Sequence, residues 1–131
     1  MSKVNEELEM YKENIIDHYK HPRNCHELQD FTFQQKELNP LCGDEITLFL
    51  KITDNKVQAV SFIGQGCAIS QASISLLTDY LKGKTFDEIK KISKETMFEL
   101  LGIPISHTRM KCALLSLKAL SEGLIKMEEK V

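Results

Sequence analysis

EITLFLKITDNKVQAVSFI, residues 45–63, is the stretch that decides the fold. Ile46, Leu48, Leu50 and Ile52 fall on one face of an extended chain, with Thr47, Phe49 and Lys51 on the other. That period of two is what a strand with one buried face requires. Thr53-Asp54-Asn55-Lys56 then carries turn chemistry, and the return run sets Val57, Ala59, Ser61 and Ile63 against Val60 and Phe62. A hairpin of this kind commits the chain to an antiparallel pair. Upstream, Phe31 and Phe33 alternate with polar residues over 31–37, which predicts a short third strand.

Beyond Gly64-Gln65-Gly66 the apolar spacing changes to threes and fours. Ile69, Ala72, Ser73, Leu76, Leu77, Tyr80 and Leu81 predict a helix, with Gly83 placed to end it. Thr85-Phe86-Asp87-Glu88 is a capping box opening a short helix through Ile92. Another short helix is expected over 94–101, closed by Gly102. A long one follows over 108–127, carrying Met110, Leu114, Leu117, Leu120, Leu124 and Met127. At the other end Val4, Leu8, Tyr11, Ile15 and Tyr19 form the stripe of a helix over 4–20, which His21-Pro22 stops. Strands in one run followed by helices in another predict an α+β fold, a three-stranded antiparallel sheet with helices on one face. With no repeat, linker or low-complexity segment, residues 1–131 read as a single domain.

The charge balance narrows the function. Among 131 residues, 17 Lys and Arg stand against 19 Asp and Glu, a net charge of −2, with no basic block. Neither nucleic acid nor an anionic membrane surface is an expected partner. No apolar run approaches the roughly 18–20 residues of a spanning helix. The N-terminal MSKVNEELEMYKEN is charged where a signal peptide would be apolar, so a cytoplasmic location is expected. In that compartment four cysteines read as thiols, metal ligands or redox groups rather than as a disulfide framework.

They stand at 25, 42, 67 and 112, with no CxxC pair, so settings matter more than spacing. Cys42 and Asp44 share the turn-rich Asn39-Pro40-Leu41-Cys42-Gly43-Asp44 and read either as two anionic ligands or as a buried thiol beside a turn residue. Cys67 follows Gly-Gln-Gly at a helix start, where unpaired N–H groups and the helix dipole favour an anionic sulfur; a small buried cysteine is the alternative. The glycines do not complete a phosphate-binding loop. Cys112 has Arg109 and Lys111 beside it on the last helix, which stabilises a thiolate, although an ordinary buried cysteine fits the same position. Cys25 reads as an exposed bystander, and the four histidines as surface or capping residues.

Taken together, NPLCGDEITL at 39–48, GQGCAISQAS at 64–73 and RMKCALLS at 109–116, with HYKHPRN at 18–24, resemble the U-type iron–sulfur cluster assembly family, the NifU N-terminal domain, IscU and SufU group. The resemblance covers nearly the whole chain, in order. It implies that Cys42, Asp44, Cys67 and Cys112 converge at one end of the domain and hold either Zn²⁺ or iron as a [2Fe–2S] cluster. It implies a cysteine desulfurase as sulfur donor and apo iron–sulfur acceptor or carrier proteins as recipients. Persulfide is then expected on Cys42 or Cys112 rather than Cys67, with Arg109 as counter-ion to a displaced ligand.

The spelling is nearest to SufU, but the span between Gly83 and Cys112 has no room for the insertion of SufU proteins. Lys111 stands where the IscU branch has histidine, residues 103–109 lack that branch's chaperone-docking motif, and His107 reads as a surface residue at a helix start. The resemblance thus implies a scaffold and sulfur carrier rather than an enzyme. The alternative is a zinc-dependent sulfurtransferase that activates a SufS-type desulfurase without holding a cluster. A zinc-stabilised binding module without sulfur chemistry is the third reading.

Overall fold

The hairpin expected at 45–63 forms the middle and one side of a three-stranded sheet in the computed structural model, which describes residues 3–41 and 43–129, with backbone alone for 3–8. Strand β1 (Phe33–Asn39) pairs with β2 (Asp44–Thr53), and β2 with β3 (Lys56–Gln65), all antiparallel. The β2–β3 turn works because Asp54 and Asn55 both take positive φ, 53° and 65°. Asn and Asp tolerate that conformation, and the resulting turn matches the twist of the strands it joins.

Two strand details differ from the expectation. The first strand starts at Phe33 rather than 31, and Phe31 instead lays its ring against Phe49, 5.7 Å between centroids. The return strand is bulged: Lys51 pairs with Ala59 but Ile52 with Val57, so Gln58 is an extra residue. A bulge shifts the side-chain alternation by one. Val57 therefore joins Val60 and Phe62 in the core rather than sharing a face with Ala59 and Ser61.

Among the described residues five helices follow the sheet or flank it: α1 (Lys3–Lys20), α2 (Ala68–Leu81), α3 (Phe86–Lys90), α4 (Lys94–Leu101) and α5 (Met110–Glu129), the last preceded by a 3₁₀ turn over His107–Arg109. Ile46, Leu48 and Leu50 of β2 and Phe62 of β3 are fully buried with Ile74 and Leu77 of α2 and Leu120 of α5. Each such side chain contributes about 1.5–3 kcal/mol relative to exposure. As expected, α2 and α5 cover this one face. The capping box at Thr85 has both arms, though α3 ends at Lys90, short of Ile92. Gly102 closes α4.

Helix α1 packs on α2 rather than on the sheet, through a second cluster of Ile15 with Ala72, Leu76, Leu101 and Ala113. Its buried stripe is rotated from the expected one. Tyr11 and Tyr19 are exposed, Val4 and Leu8 fall where side chains are not described, and His18, expected at the surface, is 6% exposed. His18 Nδ1 shares a 2.7 Å hydrogen bond with Ser75 Oγ, which also accepts the Arg23 backbone N–H at 2.9 Å. The Arg23 guanidinium pairs with Asp17, and Asn24 Nδ2 donates to Thr78 Oγ1 and Asp79 Oδ1, both at 3.0 Å. Among the described residues no helix is long and apolar enough to cross a membrane.

Candidate metal centre

The ladder ends of the sheet build the site. Asp44 is the first residue of β2 and faces Asn39, the last of β1. On its other side the ladder runs to Glu45 opposite Gln65, which brings Gly66 alongside Asp44. Gly66 has φ +148°, and a methyl there would press into Asp44 Oδ1 and lie 2.9 Å from its Cα. Only glycine allows the chain to pass so near while turning into α2.

Cys67 is the N-cap of α2, as its place after Gly-Gln-Gly predicted. Its backbone N–H donates to Asp44 Oδ1 at 2.8 Å, and its Sγ lies 4.0 Å from Asp44 Oδ2. The Ser70 N–H donates to Cys67 Sγ at 3.5 Å, so the sulfur caps a first-turn donor that has no backbone partner within the helix. Helix α5 brings the third group. Ser73 Oγ donates to the Ala113 carbonyl at 2.7 Å, pinning the start of α5 to α2, and Cys112 beside it is fully buried. Asn39 Nδ2 donates to Cys112 Sγ at 3.7 Å.

One oxygen of Asp44 and the sulfurs of Cys67 and Cys112 thereby lie within 4.8 Å of one another. Asp44, expected in the turn-rich stretch ahead of the strand, is 1% exposed at the strand's head. A buried carboxylate and a buried thiol, with the partly buried Cys67 thiol beside them, invite a cation, because anionic groups withdrawn from water need one. A tetrahedral ion with bonds of about 2.3 Å spaces its ligands about 3.8 Å apart, so side-chain shifts of about 1 Å suffice. Two soft sulfurs and a hard oxygen suit zinc, and equally iron with thiolates.

Cys42 lies outside the described residues; its neighbours Leu41 and Gly43 are exposed, Leu41 by 82%. Arg109, at the end of the 3₁₀ turn, and Lys111 are exposed beside Cys112, and His107 is exposed as expected. Cys25 is exposed, bridges to Phe62 on β3, and is not in the cluster. Sequence reasoning missed Asn39, taken only as a turn residue. Its signal was a polar alternation, Gln35, Glu37 and Asn39, on the inward face of β1.

A sequence profile described as the NifU-like N terminal domain matches residues 10–131. The chain belongs to that family. Among its relatives, an iron–sulfur cluster assembly scaffold protein IscU of Archaeoglobus fulgidus is 34% identical, over 88% of this chain and 75% of its own. The zinc-dependent sulfurtransferase SufU of Bacillus subtilis is 37% identical, over 91% and 92%. In three dimensions a NifU-like N-terminal protein from Brucella abortus superposes with TM-score 0.76 over 98% of this chain and all of its own; at 20% identity it speaks to the α+β fold alone. A putative scaffold protein for the SUF system of Fervidobacterium islandicum superposes with TM-score 0.74 at 29% identity, covering 86% of this chain and 94% of its own.

Proposed function

We propose that this NifU-like chain works as one domain in iron–sulfur cluster assembly: it accepts persulfide sulfur from a cysteine desulfurase and carries a transient [2Fe–2S] cluster as cargo, binding zinc when iron is absent. The observation that carries the reading is the convergence of Asp44, Cys67 and Cys112 from three separate segments. Cys42, between Asn39 and Asp44 in the sequence, completes the ligand set. Zinc, when bound, holds the cysteine sulfurs deprotonated and ready to act as nucleophiles.

Sulfur arrival is a thiol–disulfide exchange. A cysteine thiolate of this chain attacks the terminal sulfur of the donor persulfide; a new S–S bond forms, the old one breaks, and the donor cysteine leaves as its thiolate. Of the two acceptors expected, Cys42 and Cys112, the full burial of Cys112 favours Cys42, flanked by exposed residues. Arg109 provides positive charge for the ligand set free. The acceptors are apo iron–sulfur or carrier proteins, and the work is done in the cytoplasm, without nucleic acid or membrane.

A second reading, a zinc-dependent sulfurtransferase that speeds a SufS-type desulfurase without holding a cluster, draws on the 37% identity to the Bacillus protein. Anaerobic incubation with iron, cysteine and a desulfurase separates the two. A scaffold becomes coloured and passes its cluster to apo-ferredoxin. A transferase only raises desulfurase turnover, and a protein that does neither refutes both.

A further inference from the structure

Asn39 ends β1 with its side chain turned inward, 6% exposed. Three parts of the site meet at this residue. Its backbone pairs with Asp44 across the ladder, its amide donates to Cys112 Sγ from 73 residues away, and Cys42 follows it three residues on in the sequence. The other inward polar groups of β1 are matched elsewhere. Gln35 Nε2 donates to Glu37 Oε2 at 2.8 Å, and Lys118 Nζ lies 3.4 Å from Glu37 Oε1. The Asn39 amide is thus directed to the sulfur rather than to the neighbouring carboxylate.

A fully buried sulfur that must carry negative charge loses its hydration, and a hydrogen-bond donor aimed at it restores part of what water supplied. A donor also fixes the side-chain rotamer before a ligand bond forms. Partners that do this for ligating groups typically change metal affinity 10–100-fold when removed. We infer that Asn39 is a positioning residue of the metal centre, which holds the Cys112 sulfur in its ligating orientation and stabilises its charge by an N–H···S hydrogen bond. The inference rests on the reading of Cys112 as a ligand.

The test uses the full chain, labelled with ¹⁵N and loaded with ¹¹³Cd in place of zinc. An amide proton bonded to a ligating sulfur shows scalar coupling to the metal, which a purely structural role for Asn39 does not produce. The expected result is coupling from the Asn39 side-chain amide to ¹¹³Cd, absent in Asn39→Leu and in the isosteric Asn39→Asp. Zinc affinity, measured against a competing chelator, should fall about tenfold in both. Far-UV circular dichroism checks each fold, and Asn39→Asp serves if Asn39→Leu does not fold. Wild-type chain that binds cadmium without the coupling, or variants that bind zinc as tightly as wild type, would overturn the inference alone. Wild-type chain that takes up neither cadmium nor zinc would remove the ligand reading beneath it.

Discussion

Replacing Gly66 by alanine perturbs the proposed metal centre without replacing any of its ligands, and the cost follows from two geometric facts. Gly66 sits at φ +148°, where an L side chain is strained by about 1–3 kcal/mol. The added methyl also presses on Asp44 Oδ1, the atom that accepts the Cys67 N–H at 2.8 Å. Moving that carboxylate aside forfeits a hydrogen bond to a charged group, worth about 1.5–3 kcal/mol. Part of the loss, about 0.4–1 kcal/mol, is offset by the smaller entropy of the unfolded alanine chain. The sum is about 2–5 kcal/mol, which for a chain of this size lowers Tm by roughly 8–20 °C. Gly43 is the control: its φ is +71° but nothing lies within 4 Å of a Cβ there, so Gly43→Ala should cost only the backbone strain of about 1–2 kcal/mol. The assay is thermal unfolding in excess chelator, so that metal binding does not mask the difference, followed by zinc titration. Gly66→Ala should also bind zinc more weakly. If Gly66→Ala melts no lower than Gly43→Ala, the close passage of the chain past Asp44 is wrong.

Cys67→Ser and Cys112→Ser should each lose bound zinc while Cys25→Ser keeps one ion per chain, read by metal release to a chromogenic chelator; metal loss in Cys25→Ser would contradict the ligand set. For Asp44→Ala, the cluster should persist longer and pass more slowly to apo-ferredoxin, because the carboxylate is the weakest of the four bonds. Since Asp44 also satisfies the Cys67 N–H, the variant should unfold about 1–3 kcal/mol more easily, and transfer at the wild-type rate would assign Asp44 to structure alone. Burial, assisted by Arg23, holds the His18 imidazole below its ordinary 6.5, against the opposing pull of Asp79 and Asp17. The unfolded chain therefore binds the proton more readily than the folded one, and stability should be full above pH 6.5 and decline as pH falls from there toward the lower folded value. In melts from pH 7.5 to 5, His18→Gln should flatten that slope; an unchanged slope would mean that His18 is not buried neutral.

The elements most legible in the sequence were those set by local chemistry. Period-two alternation across 45–53, a turn whose Asp54 and Asn55 accept positive φ, and a capping box at Thr85 and Glu88 each depend on residues within a few positions of one another. What escaped depends on distant partners. The bulge at Gln58 is invisible to a pattern that assumes unbroken alternation, so Val57 was assigned to the wrong face. His18 looked like a surface residue until Ser75, 57 positions on, supplied the hydrogen bond that lets it enter the interior. Asp44 was read as a ligand or a turn residue, but its burial was not legible, because nothing nearby announces that Gly66 and the Cys67 N–H will enclose it. The cysteine settings, each ambiguous alone, were decisive only in combination.

The three described site residues also differ in how far the chain must travel to bring them together. Asp44 and Cys67 are 23 residues apart and joined through the β2–β3 hairpin, whereas Asn39 and Cys112 meet across 73 residues and only when α5 lies down on the sheet. Closing the longer loop costs more entropy, so the hairpin end can form as a half-built cradle before the last helix docks. A cation held by the proposed ligands would act as a bolt between the hairpin and the last helix. On that reading its release would free α5, the helix that carries Cys112, from the hairpin end of the sheet.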